Sequence, residues 1–168
     1  MAKIRLLFDT NVLVYAHDEL SSFHEPSATL LDLAIEREVS AFLAEQNLME
    51  LYRIVTSSVA MQGRPLTSLE AKSLIEETYL TGAFRILYPS RAVFEKTMQL
   101  AVERGAVSAR IFDLRLAAHA IVAGIPTIVT HNTSHFLGLR TPVPEIPAEI
   151  VRQVQAHKKE GKAKGKAK

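Results

Sequence analysis

The stretch IRLLFDTNVLVYAHDEL, residues 4–20, sets the terms on which the rest of the chain is read. Ile4, Leu6, Leu7 and Phe8 make an apolar run with the length of a buried strand, which stops on Asp9-Thr10-Asn11 before a second apolar run begins. Two readings of the acid are open. Asp, Thr and Asn side chains accept from the first free N–H groups of a helix, so Asp9 or Thr10 can be a cap. In open parallel sheets, however, ligands bind in the crevice beyond the carboxyl ends of the strands, where an acid can hold a metal or meet a phosphate. The choice turns on whether other strands bring polar groups to the same edge.

Strand-like runs recur at Val39–Leu43, Phe84–Leu87 and Thr127–Val129, with helical periodicity between them. That alternation predicts an α/β fold on a mainly parallel sheet. Ser22 and Glu25 have the spacing of a capping box, ahead of Leu30, Leu31, Ala34 and Ile35 at helical intervals. A second helix is expected from Gln46 to about Val59, with Leu48, Leu51, Tyr52 and Val55 on one stripe. Thr67 and Glu70 form another capping box, for a helix reaching about Tyr79, and Ser90 caps Arg91–Arg104 before Gly105. The helix Ile111–Ala123 ends at Gly124-Ile125-Pro126, and its face of Asp113, Leu116, Ala117, Ala120 and Gly124 admits a close neighbour. The prolines of TPVPEIP, residues 141–147, predict an extended segment, followed by a short amphipathic piece through Val154.

A chain of 168 residues is expected to form one domain with a single core. The absence of cysteine excludes disulfides, thiolate zinc sites and a cysteine nucleophile. The N-terminus has too few apolar residues for a signal segment, and no apolar run has membrane-spanning length, so a soluble, non-exported, cytoplasmic protein is expected, with no membrane partner. The net charge of +2 is unevenly placed: residues 157–168 carry six lysines against one glutamate, leaving −3 on residues 1–156. The division expected is a folded domain over 1–156 and a disordered lysine-rich tail over 157–168.

Only four aspartates occur, and two lie beside apolar structure. Asp113 sits on the small-residue face of its helix, where an ionised carboxylate is costly unless compensated; the alternative is an acid favoured by the positive end of the helix dipole. Glu50 points away from its apolar stripe and is flanked by Gln46, Asn47 and Arg53, which by itself reads as a solvated face. Asp18 and Asp32 read as ordinary surface or turn residues. Asn132 follows the strand Thr127–Val129 through Thr130-His131, and so repeats the strand-end placement of Asp9.

LLFDTNVLVYA, QNLMELYRIVT and IFDLRLAAHAIVAGIPTIVTHNTSHF resemble, in order and spacing, the successive motifs of PIN-domain ribonucleases, most of all the VapC-type toxins of toxin–antitoxin pairs. The resemblance spans residues 4 to about 150. It implies a three-layer fold with a mainly parallel central sheet between helices, and Asp9, Glu50 and Asp113 as the acidic metal-site residues. Thr10, Asn11 and Thr130 are implied as supporting polar groups. The chain departs from the pattern at Asn132, where many relatives have an aspartate, and at His135, where an acid is common; both changes remove negative charge.

The chemistry agrees with that inventory. Hydrolysis of a phosphodiester needs charge neutralised on the phosphate and a water activated near neutral pH, and a divalent ion supplies both. Carboxylates and amide oxygens suit Mg2+ or Mn2+. Asp9, Glu50 and Asp113 are therefore assigned to the metal and Asn132 to a neutral oxygen contributed directly or through water. Arg110 and Arg115, near Asp113, are candidates for contact with RNA phosphate, the other reading being plain surface arginines. An endoribonuclease is expected, with RNA as substrate, an antitoxin that blocks the acidic cleft, and homodimers as in the resembled family. The rival from another class is an inactive PIN-like scaffold binding RNA or protein, which Asn132 favours. His131 and His135 have an H-x-x-x-H spacing, but Asn132 stands where a zinc protease needs glutamate. A haloacid dehalogenase-like phosphatase needs an aspartate where Asn11 stands. His119, among alanines, reads as a packed helix residue.

Overall fold

The computed structural model describes residues 3–165, with side chains to Lys159. Five strands form one sheet: β1 (Arg5–Phe8), β2 (Ser40–Ala44), β3 (Phe84–Leu87), β4 (Thr127–Val129) and β5 (Val143–Glu145). All pairings are parallel and the order is β3-β2-β1-β4-β5. The chain builds outward from β1 in one direction, then crosses back to lay β4 on its other side. The strand order thus reverses between β1 and β4, where an open sheet parts its loops to form a crevice.

Alternate side chains of a strand face opposite sides, and both sides of this sheet are covered, so the strands read as continuous apolar runs. Leu6, Phe8, Ala41, Leu43 and Val129 pack on one face under α1 (Thr10–His17), α2 (His24–Ile35), α3 (Glu45–Val55), α4 (Ser68–Leu74) and the start of α7 (Pro147–Gly165). Leu7, Phe42, Ala44 and Ile128 pack on the other under α5 (Arg91–Glu103) and α6 (Arg110–Val122). The architecture is three-layer α/β/α. Gly124, at φ 62°, ends α6: its N–H donates to the Ile121 carbonyl and the Ile125 N–H to that of Ala120, which turns the chain directly into β4.

Several expectations change at the ends of elements. The Thr67–Glu70 capping box forms, with Thr67 Oγ1 accepting from the Glu70 N–H at 3.2 Å. The Ser22–Glu25 box does not: Phe23 stands at the N-cap of α2, because Asp18 and Ser21 accept from the Leu20 and Phe23 N–H groups and wind the chain into a turn first. The helix expected to reach Tyr79 changes at Ile75 into a π-helical turn that buries the Tyr79 ring, whose hydroxyl lies 2.7 Å from His17 Nε2. The segment after Arg140 is extended and supplies β5. α7 runs on to Gly165, so most of the stretch expected as a disordered tail is helical; its lysine and alanine residues extend a helix already nucleated by the packing of Ile150 and Val154. Residues 166–168 lie outside the described residues.

Candidate active site

At the carboxyl ends of β1 and β4, beside the strand-order reversal, the Asp9 N–H donates to the Val129 carbonyl at 2.9 Å. Asp9 occupies the N-cap position of α1, but its side chain makes no capping bond. Its Oδ2 instead accepts from Thr130 Oγ1 at 2.7 Å and from Asn11 Nδ2 at 2.9 Å. Asn11 Nδ2 also reaches Thr130 Oγ1, at 3.1 Å, while Asn11 Oδ1 accepts from the His131 N–H at 3.1 Å. The cap reading of Asp9 gives way to an acid held by both strand ends.

Glu50 arrives from α3. Its Oε2 accepts from Thr10 Oγ1 at 2.6 Å, and Thr10 Oγ1 accepts in turn from Asn47 Nδ2 at 3.0 Å. Asn47 is fully buried, and its Oδ1 accepts from the Ala44 N–H at 2.8 Å, so one amide fixes the start of α3 and the Thr10 hydroxyl together. Gln46 is buried too and donates through Nε2 to the Phe112 carbonyl at 3.1 Å, which ties α3 to the first turn of α6. The flank that reads in sequence as solvated is therefore a buried polar joint. Nothing but spacing signalled it: Asn47 stands three residues after Ala44, the N-cap of α3, from where a side chain can reach back to the helix start.

Asp113 lies in the first turn of α6, and its Oδ2 is 3.1 Å from His135 Nδ1. Side-chain partners thus hold Asp9, Glu50 and Asp113 through one oxygen each. Among the described residues, Asp9 and Glu50 have no basic partner at ion-pair distance. Burial pushes the Asp9 carboxyl from 3.8 up to about 6, with the charges of Asp113 and Glu50 pushing the same way and hydrogen bonds from Thr130 and the Thr10 backbone opposing. The three acids therefore share one region. They do not close on a point: among the described residues, no three His, Asp or Glu side chains are gathered tightly enough to grip an ion.

Asn132 is exposed: its backbone N–H donates to Thr130 Oγ1 at 2.9 Å and its carbonyl accepts from the His135 N–H at 3.0 Å, while among the described residues its side chain makes no hydrogen bond. Arg110 donates to the His135 carbonyl at 3.4 Å, beside Asp113. Arg115 turns instead to Glu45, 3.9 Å away. His119 is buried, and among the described residues its Nε2 has no hydrogen-bond partner. His131 and His135 face different groups, Ser27 Oγ at 2.8 Å and Asp113 respectively. A cleft lined by Glu50, Arg53, Ala109 and Phe112 opens beside the acids.

An α/β/α sandwich whose acids gather at the strand-order reversal defines the class. The chain belongs to the PIN domain family, whose profile matches residues 6–137. Comparison with curated protein sequences finds no match. Among solved structures, the fold is similar to that of Mycobacterium tuberculosis VapC20, a sarcin-ricin loop cleaving toxin, at 12% identity and TM-score 0.61 over 82% of this chain and 98% of that one. It is similar to FitAcB from Neisseria gonorrhoeae at 22% identity and TM-score 0.61, covering 84% and 97%. A toxin-antitoxin complex from Klebsiella pneumoniae contains a further likeness, at 20% identity and TM-score 0.55, covering 84% and 97%. No helix among the described residues is long and apolar enough to cross a membrane.

Proposed function

We propose that this PIN-domain protein is a metal-dependent endoribonuclease and the toxin of a toxin–antitoxin pair. The observation that carries the reading is the setting of Asp9: a carboxyl raised to about 6 by burial and by two neighbouring acids, with no basic partner at ion-pair distance among the described residues. Such a cluster is unfavourable in an isolated protein and is relieved by a cation. The residues fit a hard divalent ion in donor chemistry, although the three acids as they stand do not close on one point: all three offer oxygen, and among the described residues each has a second oxygen without a side-chain partner. Asp9, Glu50 and Asp113 would hold Mg2+ or Mn2+, and Asn132 would offer a neutral oxygen. A bound ion supplies charge neutralisation at the phosphate and lowers the pKa of a water.

The protein's own groups do the positioning. Thr130 and Asn11 fix Asp9, Thr10 turns Glu50 inward, and His135 steadies Asp113. Arg110, one turn from Asp113, is assigned to the approaching RNA phosphate; Arg115, drawn toward Glu45, is a weaker candidate. The toxin reading draws support from the toxin and toxin-antitoxin folds that the chain resembles. On this reading the partner is an antitoxin that places a basic side chain among the acids, the toxin associates as a homodimer, and both act in the cytoplasm.

The test is cleavage of an RNA oligonucleotide in chelator, Mg2+ and Mn2+. Glu50→Gln and Asp113→Asn are expected to abolish metal-dependent cleavage, whereas Asp32→Asn, at an exposed position on α2, leaves it nearly unchanged. Full activity in either site variant overturns the assignment. A parent protein that binds RNA without cutting it in any metal gives the scaffold reading, which the exposed Asn132 favours.

A further inference from the structure

Next to the acids, three rings meet that the chemistry above does not use. Tyr15, Phe23 and His131 come from α1, the α1–α2 turn and the loop after β4. Their centroids lie 5.1 Å apart for Tyr15 and Phe23, 5.1 Å for Tyr15 and His131, and 4.5 Å for Phe23 and His131. The rings are held from behind: Ser27, fully buried, bonds His131 Nε2 at 2.8 Å, and His24 Nδ1 lies 3.0 Å from the Tyr15 carbonyl. Their outer member is not covered, since Phe23 is 45% exposed. A phenylalanine at a helix N-cap satisfies no backbone donor, so what Phe23 brings there is its ring, set against Tyr15 and His131.

We propose that Tyr15, Phe23 and His131 form a stacking platform for one unpaired nucleobase of the RNA whose phosphate lies at the acidic edge. The proposal rests on the nuclease reading and adds to it a subsite. Continuity with the acids selects this occupant. The His131 N–H bonds Asn11 Oδ1, and Asn11 bonds Asp9, so the platform and the acid share one rigid connection. Asn11 and Tyr15 stand four residues apart on α1, about 6 Å of helix rise, or roughly two stacked nucleotide steps of about 3.4 Å. An aromatic face recognises a base through its π-surface and hydrophobic area, with little preference for its identity, and single-stranded RNA offers such bases.

The experiment measures binding of a single-stranded RNA carrying 2-aminopurine, and of the same RNA lacking that base, to the full chain in chelator so that no cleavage intervenes. The parent is expected to quench 2-aminopurine and to bind the abasic RNA about 5- to 150-fold more weakly, the range of one base–aromatic stack. Phe23→Ala and Phe23→Leu are expected to lose the quenching, to weaken binding by a similar factor, and to make binding indifferent to the missing base. Phe23→Trp is expected to restore all three. Such non-additivity is not produced by a merely structural ring, and thermal unfolding checks that each variant is folded. An abasic penalty as large in Phe23→Ala as in the parent overturns the platform. So does a Phe23→Ala protein whose sedimentation mass changes while its RNA binding does not, which would assign the patch to a second copy of the chain. If the parent cuts RNA with Mn2+ while Phe23→Ala and Phe23→Leu bind as it does, the platform alone fails; if the parent neither binds nor cuts, the nuclease reading fails with it.

Discussion

Replacing Asp9 by asparagine is expected to stabilise the metal-free protein. An aspartate that titrates at 3.8 in an ordinary setting and at about 6 in the fold carries a cost of roughly 3 kcal/mol when ionised. Both side-chain bonds to Asp9 end on Oδ2, so an amide oxygen in that place still accepts from Thr130 and Asn11. What the substitution removes is the buried charge and its repulsion from Glu50 and Asp113. If about half of the cost survives relaxation of the neighbours, the gain is roughly 1.5 kcal/mol, or about 3–6 °C in melting temperature for a domain of this size.

The pH dependence fixes the sign. Between about pH 4 and 6 the folded state keeps the Asp9 proton while the unfolded chain releases it. The folded state therefore binds more protons, and parental stability falls as pH rises through that window. Asp9→Asn lacks this fall. Its advantage should be full at pH 7.5 and absent below about pH 4, where Asp9 is protonated in both states. Thermal unfolding of both proteins in chelator at pH 4 and 7.5, repeated at pH 7.5 with Mn2+, measures all of this. The parent is expected to gain stability from Mn2+ and the variant to gain little, since an ion stabilises only the state that binds it. A variant less stable than the parent at pH 7.5 in chelator, or equally advantaged at both pH values, would refute the charge argument and return Asp9 to a structural role.

Three further outcomes are expected. Asn132→Asp should keep or raise cleavage at limiting metal, and a Mn2+ titration in which it binds more weakly while folded would show that position 132 does not serve the site. Asn47→Ala should cost about 1–3 kcal/mol of stability, read as a lower melting temperature, because it strands the buried Ala44 N–H and frees Thr10, and should depress cleavage beyond that loss; unchanged stability and cleavage would contradict the role given to Asn47. Burial lowers His119 to about 4, so its contribution to stability is whole above pH 6.5 and is lost as pH falls toward 4. His119→Leu should therefore gain on the parent between pH 7 and 5, by up to about 2 kcal/mol, and an advantage that does not change with pH would count against a neutral buried imidazole.

The sheet was legible where burial on both faces made the signal strong. Phe84–Leu87 and Thr127–Val129 are strands with the bounds their apolar runs predict. β5 has no such signal: it is three residues long, contains Pro144, and lies at the sheet edge, where a missing N–H costs the ladder nothing. α7 outruns the short piece expected through Val154 because only its first two turns carry the apolar pattern, while its length follows from helix propensity, which periodicity does not measure.

The candidate site divides along the same physical line. Parallel strands that end at one edge bring Asp9 to the loop after β4, because knowing where two such strands stop is enough to bring the residues after them together. That placement singles out Asn132, whereas the side chain that meets Asp9 is that of Thr130, which only the family resemblance named. Glu50 was not legible, because its direction depends on how α3 leaves β2, and that is set by the buried bonds of Asn47 to Ala44 and Thr10. Local polarity around Glu50 therefore pointed outward when the fold turns it inward. The two histidines show the converse error that spacing invites. H-x-x-x-H places side chains on one face only if the segment is a regular helix, but His131 precedes the 3-10 turn Thr133–Phe136 and His135 lies within it. One ring consequently joins Tyr15, Phe23 and Ser27 while the other meets Asp113, and a spacing that suggests one metal site instead marks the two sides of the acidic edge.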